Sequence, residues 1–528
     1  MPASSAGYDV VVIGGGINGA GIARDAALRG LEVLLLEQND FGSGTSSWSS
    51  RLIHGGLRYL EHGEIPLVYE SLRERRVLQE LAPHLVTRLR INIPVYDHSK
   101  RCLFVLRAGM IAYDLLSFGK SLPNHRVLNR EEFLRNEPGV NPAGLRGGVQ
   151  YYDAQVAYAE RLVIENILAA HDAGAVVENY SPVTSIVVNN GRVDSVLYRS
   201  RQAGHEREVR ARIVVNATGP WVDDVLSKTT LPGQKLIGGT KGSHIIVGAF
   251  EGAPRDAFYV EAQSDGRPFF IIPWNGQYLI GTTDIRSDGD PAEAKAGPRE
   301  IEYLLDETNR VFPLANLGRA DIHYAYAGVR PLPRRTAGPE SAITRKHIIR
   351  RHEEAKGLWT VIGGKLTTYR SLAEDAVDRI VRRSGLRAGA CRTREVPLPG
   401  AIGLAEAAST HPDPEIAQEA RDRLFAIYGG RANRILELAR SEPHLGAWAE
   451  SGSPVLAAEV AFAIRFEFAR TLVDILHRRT MLGLGPDLGR SAAADIAAVA
   501  ARELGWSAQE TELQLEALHT YNERLTPV

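Results

Sequence analysis

A glycine-rich turn near the N-terminus constrains the fold of this chain more than any other feature of the sequence. Residues 8–13 form an apolar run typical of a buried strand, and the turn that follows contains Gly14, Gly16 and Gly19. At this spacing the first glycine permits a tight turn, and the second lets the backbone approach a diphosphate. The third allows the next helix to pack closely on the strand, with its N-terminus directed at the anion.

The segment after the turn completes a strand–helix–strand unit. Residues 17–29 have a helical pattern that stops at Gly30, and residues 32–37 form a second predicted strand that ends in Glu37. A carboxylate at this position can accept hydrogen bonds from a ribose diol. A structural glycine turn with a surface glutamate is the alternative. The complete context favours a dinucleotide site, although the spacing does not separate NAD from FAD.

Two later segments repeat the order of a strand followed by glycine. Residues 213–219 form one of them. Residues 358–362 form the other, which continues into Gly363-Gly364-Lys365 and a helical pattern over 371–380. These separated units predict one nucleotide-binding domain assembled from non-contiguous pieces of the chain.

The remaining patterns divide into a strand-rich part and a helical part. Two hairpins are predicted, one from 184–188 and 192–198 and the other from 269–272 and 278–281. Beyond about residue 400 the apolar residues recur at helical spacing, which predicts a separate helical domain. The length of 528 residues agrees with two or three domains.

Composition narrows the functional classes. The formal net charge of -1 at pH 7 gives no support for nucleic acid as the main partner. Two cysteines, Cys102 and Cys391, cannot staple a chain of this size and indicate a reducing compartment. We expect no secretory signal, no membrane-spanning segment and no metal site, because the corresponding motifs do not occur.

A series of short blocks, taken in chain order, resembles the family of FAD-dependent glycerol-3-phosphate dehydrogenases, the aerobic, quinone-linked enzymes. The blocks are residues 14–21, 45–47, 52–61, 216–221, 241–244, 281–284, 328–332 and 363–370. The resemblance extends to about residue 385 and is looser in the C-terminal part, around 476–480.

The resemblance implies an α/β fold: a Rossmann-like FAD-binding domain of the D-amino-acid-oxidase/glutathione-reductase-2 type, a β-rich substrate domain and a C-terminal helical domain. The expected limits are 1–95, 150–230 and 346–390 for the FAD-binding domain, 96–149 and 231–345 for the substrate domain, and 400–528 for the helical domain. It further implies non-covalent FAD, oxidation of sn-glycerol 3-phosphate to dihydroxyacetone phosphate, and ubiquinone or menaquinone as the acceptor. The expected location is the cytoplasm, peripheral or monotopic on the inner face of the cell membrane, with a homodimer as an option.

The substrate is a small dianion with a secondary alcohol, so its pocket needs fixed cations. The family comparison places five residues around it: Arg58, Tyr59, Arg330, Arg345 and Lys365. Arg330 is the preferred group for stabilising the developing alkoxide, and Lys365 is expected close to both substrate and flavin. A single arginine is ordinarily a solvated surface charge, and only membership in the family motifs distinguishes these residues.

Removal of the hydroxyl proton requires a base within hydrogen-bond reach, and histidine has a suitable pKa. His244 is the predicted catalytic base, with a structural hydrogen-bonding role as the alternative. His54, beside Gly55, is favoured as a structural or flavin contact.

The expected FAD contacts are spread over the family blocks. They are Gly14, Gly16, Gly19, Glu37, Thr45, Ser46, Ser47, His54, Gly55, Ala217, Gly219, Gly364, Leu366 and Thr367. The hydroxyls of residues 45–47 are expected at the pyrophosphate, and the backbone of residues 363–367 at the flavin pyrimidine edge. Trp48 departs from the family pattern, which has a small residue at this position.

Several alternatives stay open. The apolar segment 103–118 is either a membrane-surface helix or an ordinary core helix. The substrate is glycerol 3-phosphate or another polyol phosphate, such as erythritol phosphate. An oxygen-using glycerol-3-phosphate oxidase is less favoured, because the chain has no obvious room for the inserted segment usual in such oxidases. A flavin-binding regulatory protein without turnover is less favoured because Arg58, Arg330 and Lys365 are all present.

Overall fold

The computed structural model describes residues 7–61, 63–117, 122–200, 204–229, 235–334, 346–405, 418–446 and 455–527. The strands are β1 (Tyr8–Ile13), β2 (Val33–Leu36), β3 (Leu52–Ile53), β4 (Val86–Tyr96), β5 (Arg126–Asn129), β6 (Leu145–Val156), β7 (Val176–Glu178), β8 (Val183–Asn189), β9 (Arg192–Arg199), β10 (Glu206–Asn216), β11 (Thr240–Val247), β12 (Ala257–Glu261), β13 (Pro268–Trp274), β14 (Gln277–Gly281), β15 (Ile285–Arg286), β16 (Ile322–Arg330), β17 (Ile348–Arg351) and β18 (Leu358–Ile362). The helices are α1 (Ile17–Leu28), α2 (Arg58–Glu61), α3 (Ile65–Leu81), α4 (Leu103–Leu116), α5 (Arg130–Asn136), α6 (Ala159–Asp172), α7 (Val222–Leu226), α8 (Pro298–Val311), α9 (Tyr369–Ser384), α10 (Gln418–Tyr428), α11 (Ala432–Ser441), α12 (Ala457–Phe466), α13 (Leu472–Asp474), α14 (Ala493–Leu504) and α15 (Ala508–Glu523).

An eight-stranded sheet contains the predicted dinucleotide unit. Its main path has the order β17-β18-β10-β1-β2-β7, with every pair from β18 to β7 parallel and β17 antiparallel at one edge. Residues 10–13 of β1 are buried because α1, α6 and α9 cover one face of the sheet and the β8–β9 hairpin covers the other. The predicted assembly of this sheet from distant segments is confirmed.

The two predicted hairpins are confirmed, and both turns are shorter than the sequence predicted. Between β8 and β9 the turn consists of Asn190 and Gly191, at φ 50° and 69°. Between β13 and β14 it consists of Asn275 and Gly276, at φ 51° and 72°. Residues 273 and 274 extend the strand instead of the turn, since a two-residue turn with positive φ matches the twist of the paired strands.

A second sheet of ten strands lies beside the first. Its path has the order β15-β11-β14-β13-β12-β4-β6-β3, with β16 paired to β11 and β5 paired to β6. Helix α8 packs on one face. The other face belongs to a core shared with α3, α4 and the C-terminal helices.

Sheet membership does not follow the domain limits expected from the sequence. Strands β4 and β6 pair along most of their length within the ten-stranded sheet, and residue 150, an expected limit, lies inside β6. The expected limits stay a prediction.

Helix α4 forms within the apolar segment 103–118, but it is not enclosed by the core. Met110 and Tyr113 are buried, whereas the side chains of Phe104 and Leu115 are 79% and 70% exposed. None of the described helices combines the length and the apolar character needed to cross a bilayer.

Candidate active site

A cavity of about 570 Å³ opens at the ends of β1 and β2, where the glycine turn lies. The glycine turn itself, Glu37, the loop 43–46, residues 217–219 and residues 363–366 all contribute to its wall. The predicted strand-then-glycine units therefore meet at one site, as expected for the carboxyl ends of parallel strands.

Glycine occurs at the three positions of the turn for different structural reasons. Gly14 has φ +108°, and a Cβ there would lie 2.8 Å from the Ala217 carbonyl oxygen. A Cβ on Gly19 would lie 1.8 Å from the Gly14 carbonyl oxygen, so α1 can approach the turn only without a side chain. A Cβ on Gly16 would meet nothing closer than Ser46 Oγ at 3.5 Å, although Gly16 lines the cavity. Gly14 and Gly19 shape the turn, and Gly16 leaves space for a ligand.

The N-terminus of α1 offers hydrogen-bond donors to this space. The backbone N–H of Ile17 donates to Ser46 Oγ at 3.1 Å. The N–H groups of Gly16 and Asn18 have no acceptor within the described ranges of the chain. Unsatisfied amides at a helix N-terminus favour a bound anion, so the turn fits the diphosphate of a dinucleotide.

Glu37 lies on the cavity wall and is held by the backbone. Its Oε2 accepts the N–H of Gly15 at 2.7 Å, and its Oε1 accepts the N–H of Asn39 at 2.9 Å. Burial raises the pKa of Glu37, and these backbone hydrogen bonds oppose that shift. The carboxylate is thereby oriented and retains acceptor capacity for a ribose hydroxyl.

The three hydroxyls of residues 45–47 do not have equivalent surroundings. Thr45 and Ser46 line the cavity, and Thr45 Oγ1 donates to the Val329 carbonyl at 2.7 Å. Ser47 is buried outside the cavity wall and donates to the Gly42 carbonyl at 2.7 Å. Their roles at a pyrophosphate stay predictions. Ser47 differs from the other two because its hydroxyl lies off the cavity wall and donates to a backbone carbonyl within the same loop.

The other expected cofactor contacts also divide into residues that line the cavity and residues that lie off its wall. Ala217, Gly219, Gly364 and Leu366 line the cavity. His54, Gly55 and Thr367 lie behind the wall, where the His54 N–H donates to Thr367 Oγ1 at 3.2 Å. The Gly55 N–H lies 3.1 Å from the Tyr113 hydroxyl. Burial lowers the pKa of His54 to about 4, assisted by the charges of Lys365 and Arg75, so this imidazole is neutral at pH 7.

Lys365 is the predicted substrate residue that the structure places on the cavity wall. Its ammonium lies 3.6 Å from the centre of the Tyr59 ring, a cation–π contact. It also donates to Ser71 Oγ at 3.2 Å. Two of the predicted substrate residues, Tyr59 and Lys365, are thus brought together, with Ser71 of α3 holding the ammonium.

Arg330 lies at the end of β16, between Val329 and Pro331 of the cavity wall, and its guanidinium is held from the side. It forms an ion pair with Asp284 at 3.0 Å and donates to Thr282 Oγ1 at 3.0 Å. A Cβ on Gly242 of β11 would lie 2.3 Å from this guanidinium, so the Arg330 side chain can occupy this position only because residue 242 has no side chain.

His244 is buried, at 2% exposure, and stacks on Tyr326 with ring centres 4.8 Å apart. Its Nε2 lies 2.8 Å from Ser50 Oγ, while its Nδ1 is buried and has no hydrogen-bond partner in the described part of the chain. Burial lowers the pKa of His244 to about 3, and the positive charges of Arg330 and Arg51 lower it further. The imidazole is therefore neutral at pH 7 and has a free acceptor or donor position at Nδ1, depending on tautomer.

Two predicted substrate residues stay untested by the geometry. Arg345 lies outside the described residues, and of Arg58 only the backbone, in α2, is described. No cluster of metal-ligating side chains occurs among the residues that the structure describes.

Sequence reasoning missed the partners that orient the predicted groups. Asp284 lies in one of the family blocks and had a signal there, as a carboxylate close to a predicted cationic site. Ser50 lies in a serine-rich segment without a distinguishing feature. Ser71 lies within a helix, on an ordinary amphipathic pattern, and nothing in the sequence pairs it with Lys365.

Fold and cavity together define a dinucleotide-binding protein, and the comparisons with known proteins identify the dinucleotide as FAD. Residues 9–379 match the family model described as FAD dependent oxidoreductase, and residues 391–511 match the C-terminal domain of alpha-glycerophosphate oxidase. The chain belongs to the family of FAD-dependent glycerol-3-phosphate dehydrogenases. It is 46% identical to the glycerol-3-phosphate dehydrogenase of Synechocystis sp., over 98% of this chain and 96% of the relative.

Two further comparisons bear on cofactor and substrate. The X-ray structure of the glycerol-3-phosphate dehydrogenase from Bacillus halodurans, complexed with FAD, superposes with a TM-score of 0.81 at 29% identity, over 99% of this chain and 96% of that one. The D-erythritol 1-phosphate dehydrogenase of Brucella abortus is 39% identical over 89% of this chain and 94% of the relative. The expected fold class and the expected cofactor, FAD, are confirmed.

Proposed function

We propose that the protein oxidises sn-glycerol 3-phosphate to dihydroxyacetone phosphate, with FAD as the hydride acceptor and a membrane quinone as the final electron acceptor. The observation that carries the proposal is the position of Lys365, a cation on the wall of the FAD cavity beside Tyr59. The names of the relatives at 46% and 29% identity support the same substrate.

The proposed reaction needs an anion clamp and a group that stabilises negative charge on oxygen. Lys365 is assigned to the first task together with Arg58 and Arg345. Arg330 is assigned to the alkoxide, because a fixed cation lowers the free energy of a developing anion. Its ion pair with Asp284 holds the guanidinium in place before substrate arrives, which limits the reorganisation needed during the reaction.

His244 is assigned to the hydroxyl proton. It is neutral at pH 7, as a base must be, but Arg330 disfavours the imidazolium. A bound substrate phosphate and a developing alkoxide add negative charge nearby, which raises the pKa of His244 when the base is needed. Ser50, at 2.8 Å from Nε2, fixes the ring orientation.

Anaerobic mixing with substrate tests the reaction. Glycerol 3-phosphate should bleach the flavin absorbance within one turnover, and adding a quinone should restore the colour. The erythritol 1-phosphate dehydrogenase relative makes erythritol phosphate the second candidate, so both are compared by kcat/KM. Faster bleaching by erythritol phosphate would reassign the substrate, and rapid reoxidation by oxygen with peroxide release would replace the quinone by oxygen. Failure of every polyol phosphate to bleach the flavin would favour the remaining alternative, a flavin-binding regulatory protein that does not turn over substrate.

The proposed contact with a membrane surface rests on an exposed apolar patch, which we define as Ile65 and Tyr69 of α3 with Phe104, Ile111 and Leu115 of α4. These side chains are 47% to 79% exposed. The buried faces of α3 and α4 share one core through Val68, Leu72, Met110 and Tyr113, so the two helices present the patch from a common base. Each large apolar side chain that leaves water contributes about 2 kcal/mol, enough for peripheral binding without insertion.

Vesicle flotation tests this contact. The double variant Phe104→Ser/Leu115→Ser should remain with the soluble fraction, because the apolar contribution of the patch is lost. Leu314→Ser is the matched control, since Leu314 is 56% exposed but follows α8, outside the patch. Equal flotation of the two variants would place the membrane contact elsewhere. The homodimer stays a prediction, and sedimentation of the same samples measures it.

A further inference from the structure

The FAD cavity is not enclosed by the FAD-binding segments alone. Its wall includes Thr471, Arg478, Gln514, Tyr521 and Arg524, all of which belong to the C-terminal helical region. The looser family resemblance of this region gave no reason to expect a role at the cofactor. Helix α15 and the turn after it therefore form one side of the cavity.

A buried ion-pair cluster attaches this wall to the loop that follows Glu37. Asp40 Oδ2 accepts Arg478 Nε at 2.6 Å, and the two carboxylate oxygens accept both terminal nitrogens of Arg479 at 2.9 Å. The Asp40 side chain is fully buried. Burial by itself would raise the pKa of Asp40, but Arg479 and Arg478 outweigh it and hold the pKa at about 2. The pairs are thus ionised at every physiological pH.

A second contact joins the same loop and wall through the turn after β7. Asn179 Nδ2 donates to Asp40 Oδ1 at 3.1 Å and to the Phe468 carbonyl at 2.9 Å. Tyr180, which also lines the cavity, donates its hydroxyl to Asp474 Oδ1 at 2.6 Å. These hydrogen bonds attach the ribose end of the cavity to the C-terminal region at residues 468–474.

The aromatic side of the wall explains Trp48. Its ring lies 5.6 Å from Tyr326 of β16 and 6.4 Å from Tyr521 of α15, centre to centre. Beyond the helix, the Leu525 carbonyl accepts the Ala325 N–H of β16 at 2.8 Å. Trp48 therefore packs against the C-terminal helix at the cavity wall.

The basic side chains on the cavity wall differ in whether an acidic side chain neutralises them. Four basic side chains line the cavity in the described chain, namely Lys228, Lys365, Arg478 and Arg524. Arg478 is neutralised by Asp40 and Asp474. Arg524 forms no ion pair with any described residue; one of its terminal nitrogens donates to the Ala292 carbonyl, and its Nε is buried without a partner.

We propose that the C-terminal helical region is part of the FAD site, with Arg524 as a cation that attracts the cofactor diphosphate and the α15 wall as a closure that must loosen before FAD leaves. A group that binds only the closed form stabilises it, so FAD binding and the stability of α15 are thermodynamically coupled. The inference concerns the cofactor alone, so it stands or falls independently of the substrate and the electron acceptor.

Titration of the apoprotein with FAD tests the role of Arg524. The variant Arg524→Gln should raise the Kd for FAD about tenfold to a hundredfold and reduce its dependence on salt. Arg502→Gln is the matched control, because Arg502 is an exposed arginine of α14 that does not line the cavity. A Kd for Arg524→Gln equal to that of the control would overturn the proposal.

Hydrogen exchange of the unaltered protein gives an independent readout. Amides of residues 508–525 should exchange more slowly in the FAD-bound protein than in the apoprotein, whereas those of the exposed helix α4 should exchange equally. Equal exchange of residues 508–525 in the two forms would likewise refute the closure.

Discussion

Replacing Gly16 by alanine separates cofactor binding from folding, because this glycine lines the cavity without being required by the backbone. Gly16 has φ -76° and ψ 179°, which any residue adopts, and the added Cβ would have its nearest neighbour at 3.5 Å. The free energy of unfolding of the apoprotein should therefore be unchanged or raised by up to about 1 kcal/mol.

The same methyl group would project into the space where the diphosphate must approach the N-terminus of α1. The N–H groups of Gly16 and Asn18, like that of Gly19, have no acceptor among the residues described at this helix end, and both would face the diphosphate. A hydrogen bond to a charged group contributes about 1.5 to 3 kcal/mol. Losing both costs about 3 to 6 kcal/mol, so the Kd for FAD should rise roughly a hundredfold to ten-thousandfold.

Flavin fluorescence quenching measures this Kd, and circular dichroism of the apoprotein measures the fold. Gly109→Ala is the control, because Gly109 lies in α4 and a Cβ there would meet nothing within 4 Å. Gly19→Ala is the opposite case, since its Cβ would lie 1.8 Å from the Gly14 carbonyl oxygen and should disrupt the fold itself. An unchanged Kd in Gly16→Ala, or loss of its secondary structure, would contradict this account of the turn.

Three further outcomes are expected. Asp284→Asn should lower kcat/KM for glycerol 3-phosphate about tenfold to a hundredfold because Arg330 loses its charged partner; the exposed Asp288→Asn should not, and equal values would remove the positioning role. Glu467→Gln should lower the thermal unfolding temperature, since the fully buried Arg161 loses its carboxylate partner at 2.5 Å and keeps only Glu165 at 3.6 Å, a cost of about 3 to 5 kcal/mol. Glu442→Gln, at the solvent-screened pair with Arg465, should shift that temperature much less. His477 has a pKa lowered to about 3 by burial, so the unfolded chain binds its proton below about pH 6.5 and the folded chain does not. His477 therefore contributes about 1.4 kcal/mol per pH unit to the loss of stability as the pH falls from 6.5 towards 3. The buried His54 and His244 add to the same loss, so His477→Asn should reduce the overall slope by about this amount, whereas the exposed His519→Asn should leave it unchanged.

The helix and the second strand of the N-terminal strand–helix–strand unit were predicted from local sequence pattern. The sequence predicts a helix over 17–29 and a strand over 32–37, and the structure has them at Ile17–Leu28 and Val33–Leu36. Glycine spacing, apolar periodicity and turn residues act within one or two elements, so these features are readable without knowing the rest of the fold.

The sequence did not predict which side of α4 faces solvent. Apolar residues occur on both faces of this helix, and its sequence pattern fits a core helix as well as a surface one. Burial of Met110 and Tyr113 and exposure of Phe104 and Leu115 follow from where α3 and the ten-stranded sheet lie. A pattern cannot report which of two apolar faces finds a partner, because packing decides it.

The sequence by itself determined the dinucleotide unit, the strand-rich middle and the helical C-terminal part, because each depends on interactions between residues near one another in the chain. Only the tertiary structure decided that Asp284 holds Arg330, that Ser71 holds Lys365 and that Asp40 binds Arg479 across the cavity wall. Those contacts join residues from distant segments of the chain. They contribute free energy only in the folded protein, because folding brings the charges and hydroxyls together in an interior from which water is excluded.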